Sequence, residues 1–137
     1  IIGHHPLTIV DGAHNADGAR VLRESIDSLR LDAASPIVFV MGVLSDKDFE
    51  AMIDEVAEVG SAFITYTPES PRALDAHELA RFIAMRVPGA IVHAASSVDE
   101  ALRCAAEKAS PEGSIVAFGT LYAIDAVKRA RRHLSEL

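Results

Sequence analysis

Polar and apolar positions alternate between two periods along this chain. A short apolar run from Leu7 to Val10 gives way to Ala19, Leu22, Ile26 and Leu29, spaced by three and four, which is one face of a helix. The run 37–44, IVFVMGVL, is too continuously apolar for a strand with one wet face and suits one covered on both sides. Phe49, Met52, Ile53 and Val56 form the next helical stripe, with Ser45 and Asp48 as a near capping box before it and Gly60 as a stop after it. SAFITYT, 61–67, reads as a third strand. Asp75 and Glu78 then cap a helix through Leu79, Phe82 and Ile83 that Pro88 and Gly89 end. AIVHA, 90–94, is the fourth strand, and Ser97 and Glu100 open a helix through Leu102, Ala105 and Ala109. SIVAFGT, 114–120, precedes a last helix carrying Ile124, Val127 and Leu134.

Five strand–helix repeats with short connections predict one open, mainly parallel sheet wrapped by helices, since parallel neighbours need crossovers and crossovers are right-handed. Strands are expected near 7–11, 37–43, 62–67, 90–94 and 114–119, with a sixth, short or antiparallel, allowed by the pattern. The length of 137 residues, half of them apolar, fits a single domain with a substantial core. No apolar run approaches the roughly 18 residues of a membrane span, and no basic-then-apolar leader occurs, so a cytoplasmic protein with no membrane partner is expected. The single cysteine, Cys104, lies in an Ala-rich helical pattern and reads as a small buried core residue.

Charge narrows the partners. A net charge of -7 repels phosphate backbones, so nucleic acid is not an expected partner. The basic cluster Lys128, Arg129, Arg131 and Arg132 falls in the last turns of a helix, where the dipole favours cations. His4 and His5 are adjacent, point in different directions and have no third ligand at metal spacing, which makes them linker residues rather than a metal site.

In an open parallel sheet, ligands gather beyond the C-terminal ends of the strands. The stretch DGAHN, 11–15, stands there after the first strand: Gly12 permits a tight turn, Asn15 can cap the helix, and free N–H groups at the helix start can receive an anion. Other strand ends carry Ser45, Asp46, Lys47 and Asp48, then Thr65, Thr67 and Arg72, and finally Thr120 and Tyr122, enough for one polar rim. The residues by themselves reach a binding cleft and go no further. Turn-bracing and capping account for Asp11, His14 and Asn15 as readily as ligand contact does.

VDGAHNADGARVL resembles the Asp-Gly-Ala-His-Asn-Pro signature in the C-terminal domain of the folylpolyglutamate and dihydrofolate synthases, a branch of the Mur ligase family. MGVLSDKD at 41–48, SPRALDAHELA at 70–80 and AFGTLYAIDAV at 117–127 agree in order, so the resemblance spans nearly the whole chain. Ala16 stands where the family often has proline and Thr120 where serine is common; the first costs a little pre-organisation and the second keeps the hydroxyl.

The resemblance implies a Rossmann-like open, mainly parallel sheet of five to six strands with helices on both faces, of the Mur ligase C-terminal type. No Gly-x-x-x-x-Gly-Lys-Ser/Thr loop occurs, so residues 1–137 are expected to be one C-terminal glutamate-ligase domain whose ATP-binding domain lies upstream, outside this chain. The implied activity is ATP-dependent joining of L-glutamate to a folate or dihydropteroate through an acyl phosphate. It further implies that Asp11 contacts ATP, that His14, Lys47 and Thr120 bind glutamate, and that Asn15, Asp46, Arg72 and Tyr122 support them. ATP and Mg2+ belong to the full-length enzyme and none is expected on this domain alone. No catalytic residue or metal ligand is assigned, and the domain is expected to be monomeric and inactive in isolation. Two other readings stay open: another amino-acid ligase of the Mur family, and a stand-alone nucleotide-binding module. The second is disfavoured because DGAHN stands where a pyrophosphate turn would need Gly-x-Gly-x-x-Gly.

Overall fold

Asn15, Asp48, Asp75 and Ser97 each place a side-chain oxygen on an N–H of the turn that follows, and these four caps fix where four of the helices begin. The computed structural model describes residues 1–29 and 35–135. The elements run β1 (Leu7–Val10), α1 (Ala16–Ser28), β2 (Ile37–Met41), α2 (Phe49–Val56), β3 (Ala62–Thr65) and α3 (Ala76–Arg86). They continue with β4 (Ile91–Ala94), α4 (Val98–Ala109), β5 (Ser114–Phe118), a single 3-10 turn (Leu121–Ala123) and α5 (Ile124–Ser135).

All five strands are parallel and stand in the order β1-β5-β2-β3-β4. The first three crossovers step one way across the sheet and put α1, α2 and α3 on one face. The crossover from β4 steps back to β5, and with handedness conserved its helix must lie on the other face, where α4 and α5 pack. This explains the continuous apolar runs: Ile37, Phe39 and Met41 of β2 face the first layer while Val38 and Val40 face the second, and Val116 and Phe118 of β5 alternate with Ile115 and Ala117. Phe39 sits between Phe63 and Phe118 at centroid distances of 5.5 and 5.7 Å. On the second face α4 presents Ala101, Ala105 and Ala109, small residues that let the helix lie close to the sheet.

Several expectations need correcting. Asp48 caps α2, accepting from Ala51 N at 3.1 Å, while the Ser45 hydroxyl donates to the Arg72 carbonyl instead. Leu29, counted on the first stripe, is 49% exposed, because α1 ends at Ser28. Cys104 is half-buried rather than enclosed, and that partial burial raises its thiol pKa. Among the described residues no sixth strand joins the sheet; Gly3 instead bridges Thr8 in a short antiparallel pairing. Arg131, one of the basic cluster placed in the last turns of a helix, is also buried, at 7% exposure. Its Nε donates to Thr8 Oγ1 at 3.0 Å and its Nη2 to the His4 carbonyl at 3.0 Å, which pins the segment before β1 to α5. Among the described residues no helix is long and apolar enough to cross a membrane.

The outer surfaces of α2 and α3 are joined by a two-pronged pair, Arg86 Nε to Asp54 Oδ1 at 2.8 Å and Nη2 to Oδ2 at 2.6 Å. Phe82 meets Phe49 edge-on at 5.3 Å beside it. The Arg86 hydrogen bond holds the Asp54 carboxyl below the ordinary carboxylate range. A depressed folded-state pKa stabilises the fold above the unfolded value and loses that contribution as pH falls through the folded one. Urea midpoints of Asp54→Asn and the parent should therefore differ at neutral pH and converge as pH drops below about 4, the ordinary carboxylate value. Phe39→Ala, which empties the centre of the aromatic cluster, should cost about 3–5 kcal/mol by the same measurement.

Candidate functional site

Two crossovers leave neighbouring strands in opposite senses at β5: β1 and β2, on either side of it, send their chains to the α1–α3 face, whereas β5 sends its chain to the α5 face. The loops diverge there and a cleft opens at the strand ends. The parallel ladder runs on past β1 to form the cleft's floor. Asp11 N donates to the Ala117 carbonyl and Gly119 N to the Ala13 carbonyl, both at 2.9 Å, so the DGAHN loop is sewn to the end of β5. Gly119 has φ of +129°, and a Cβ on it would press into the Gly42 carbonyl oxygen on β2's side. A residue with a side chain fails there twice, through its dihedral and through the contact.

A cavity of about 200 Å³ opens over this floor, lined by His14, Leu44, Lys47, Arg72, Gly119, Thr120, Leu121 and Tyr122. Its size, below the roughly 300–1,000 Å³ of pockets for drug-sized ligands, suits a ligand of amino-acid dimensions. The structure thus brings His14, Lys47, Arg72, Thr120 and Tyr122 together from four loops. The His14 Nδ1 lies 2.9 Å from the Gly12 carbonyl. A carbonyl only accepts, so Nδ1 carries the proton in that bond and Nε2 is the nitrogen left to meet a ligand. Thr120 is 4% exposed; its Oγ1 accepts from Tyr122 N at 3.3 Å and thereby caps the 3-10 turn, which leaves the hydroxyl proton to donate elsewhere. Lys47 is half-buried and Tyr122 is 72% exposed at the cavity's lip.

Other expected rim residues have different duties. Asp11 does not line the cavity; its Oδ1 accepts from Ala13 N at 2.8 Å and shapes the loop. Asn15 caps α1 by accepting from Gly18 N at 2.8 Å. Asp46 stands outside the lining, with Oδ2 2.8 Å from Arg72 Nη1. Thr65 and Thr67 turn away from the rim: their Oγ1 atoms donate to the Ala76 carbonyl and accept from Ala76 N, holding the start of α3. Leu44 and Leu121 were missed. Leu44 sits at the end of an apolar run that reads as core, and Leu121 beside a turn; only their place on strand-end loops marks them.

The loop after β3 is laced to the loop after β2. Ser45 N and Oγ both donate to the Arg72 carbonyl, at 2.7 and 3.0 Å, and Leu74 N donates to the Val43 carbonyl at 2.9 Å. Lys47 and Arg72 thus share one rigid double loop. Among the described residues no group of three or more His, Cys, Asp or Glu side chains is placed to hold a metal ion.

An open parallel sheet with a cation-lined cleft where its crossovers reverse places the chain in the Rossmann-like α/β class. The family model of the Mur ligase glutamate ligase domain matches residues 1–121, and the chain belongs to that family. It is 39% identical over 74 residues to the folylpolyglutamate synthase of Lacticaseibacillus casei, a match covering 53% of this chain and 17% of that protein. The Mycobacterium tuberculosis folylpolyglutamate synthase complexed with ADP superposes with a TM-score of 0.79 at 25% identity, over 94% of this chain and 30% of that one. A bifunctional folylpolyglutamate synthase/dihydrofolate synthase solved with Mn, AMPPNP and L-glutamate bound gives a TM-score of 0.74 at 26% identity, over 95% and 30%. The chain spans less than a third of the length of each of these relatives.

Gly119→Ala should destabilise the domain by about 1–3 kcal/mol, the range for a residue forced into a sparsely populated backbone region. Thermal unfolding reads the loss. Amide chemical shifts of Ala13 and Thr120 should move with it, since the Gly119 N–H ties both loops.

Proposed function

We propose that this chain is the glutamate-binding, C-terminal domain of an ATP-dependent ligase that joins L-glutamate to a folate or dihydropteroate. One observation carries the reading: His14, Lys47, Arg72 and Thr120, from four separate loops, surround a single cavity of amino-acid size. In such a ligation ATP activates the folate carboxylate as an acyl phosphate, and the glutamate amine displaces the phosphate to form the amide. The residues on this chain bind and orient the amine's owner. Lys47 offers a point charge and Thr120 a hydroxyl to glutamate carboxylates. His14, its ring held by Gly12, presents Nε2 to the same ligand, and Asp11 is assigned to the ATP side with the oxygen that Ala13 does not use.

Phosphate binding and Mg2+ are assigned to an upstream part of the full-length ligase, because this chain has neither a phosphate-binding loop in its sequence nor, among its described residues, a set of side chains placed for a metal. The names of the relatives and the ligands of the solved neighbours, ADP, AMPPNP, Mn and L-glutamate, support the ligase reading. Positioning accounts for the mechanism here: a bound, oriented amine close to an activated acyl group converts a bimolecular reaction into a near-intramolecular one.

Alone, the chain should unfold cooperatively on heating and release no ADP from ATP, folate and glutamate. In the complete ligase, Lys47→Met and His14→Ala should each raise the KM for glutamate by about 10–100-fold, the equivalent of one charge-assisted hydrogen bond, while the KM for ATP stays within about twofold. An equal rise in both constants, or ligation by the 137 residues alone, would sink the assignment.

A further inference from the structure

Two of the arginine–aspartate pairs among the described residues contrast in build. Arg86 grips Asp54 with two prongs, and the pair only joins helices. Arg72 meets Asp46 through one prong, Nη1 to Oδ2 at 2.8 Å, and both side chains are about half exposed, at 51% and 48%. Bidentate pairing fixes a guanidinium in place; a single exposed contact is weak, screened by salt and readily exchanged. The backbone of Arg72 has no such freedom. Its carbonyl takes two hydrogen bonds from Ser45, its N–H donates to Ser70 Oγ at 3.2 Å, and the next residue, Ala73, bridges Leu44. Arg72 therefore sits on a rigid base with a guanidinium that can turn, lines the cavity beside Lys47, and is held at rest by a carboxylate that is not part of the cavity.

We propose that Asp46 is an exchangeable internal ligand of Arg72, displaced by a carboxylate of the incoming acidic amino acid, and that its competition for Arg72 sets how tightly the cavity holds a dicarboxylate. The inference rests on the glutamate reading above. With Asp46 in place, a ligand bearing one carboxylate uses Lys47 and Thr120 and leaves Arg72 paired. A ligand with two carboxylates bridges Lys47 and Arg72, and its second carboxylate replaces the contact that Asp46 gives up. A small inorganic anion has to displace the same contact, so Asp46 weakens its hold on Arg72 as well. Asp46 is then a positioning residue that acts through Arg72 and never touches substrate.

Asp46→Asn keeps the side chain's shape and removes its charge, freeing Arg72. In the complete ligase at low ionic strength it should lower the KM for L-glutamate by about two- to fivefold, the strength of an exposed ion pair, with kcat and the KM for ATP little changed. Three further readouts separate exchange from a merely structural role. The gain should vanish in an Arg72→Gln background; added chloride should raise the glutamate KM of the variant more steeply than that of the parent; and Asp46→Ser should reproduce the effect, with thermal midpoints confirming that both variants fold. A KM that rises or stays level in Asp46→Asn, or a gain that persists without Arg72, overturns the exchange. Lys47→Met distinguishes the two levels of inference. If it raises the glutamate KM while Asp46→Asn leaves it level, only the exchange fails; if Lys47→Met has no effect, the glutamate site fails and the exchange with it.

Discussion

The right-handedness of the β–α–β crossover is the constraint on which the cleft depends. Three crossovers in one direction stack α1, α2 and α3 on a single face; one crossover backward, from β4 to β5, has to carry α4 to the other. Insertion of β5 between β1 and β2 then makes three adjacent strands send their chains to alternating faces, and the loops part over β5. No side chain decides this. The side chains decide what the opening holds, and the stitched ladder of Asp11, Ala13 and Gly119 ensures that the loops part by a fixed amount.

Against a net charge of -7, the cavity concentrates Lys47 and Arg72. A cationic recess in an acidic molecule gives an anion one favourable place to bind and repels it elsewhere, which promotes selective occupancy. Each cation is presented differently. Lys47 sits just ahead of α2, whose start is capped by Asp48, and its ammonium, a donor only, has no capping role there. Arg72 is anchored by its own backbone and restrained by Asp46, so its charge is present and conditionally available.

The layered fold was legible because two periods are hard to confuse over five repeats: a strand buried on both faces, such as 37–41, has no polar position to misplace, and caps such as Asp75 announce helix starts. The candidate cleft was legible to the extent that parallel strands share one C-terminal edge. Which polar residues of a strand-end loop face inward was not legible. Thr65 and Thr67 look as suitable as Thr120, yet both turn to Ala76: the Thr67 oxygen satisfies its N–H, an orphan donor at the start of α3, and the Thr65 hydroxyl donates to its carbonyl. Ser45 and Asp48 competed for one cap, and the residue nearer the helix took it. The burial of Arg131 was not legible because its partners lie at the opposite end of the sequence, where no periodicity connects them.

That last contact bears on the order in which the protein can assemble. Arg131 bonds a residue 123 positions away, and β1, the first strand, has β5, the last, as its sheet neighbour. The three middle strands can associate as soon as each is made, each beside its predecessor. The first strand must wait, with its hydrogen-bonding edge unpaired and the DGAHN loop without the β5 end that holds it, until β5 has been synthesised. Closing so long a loop slows folding and leaves a transiently sticky edge. The cleft, which needs both the DGAHN loop and the end of β5, therefore cannot form before β5 is in place.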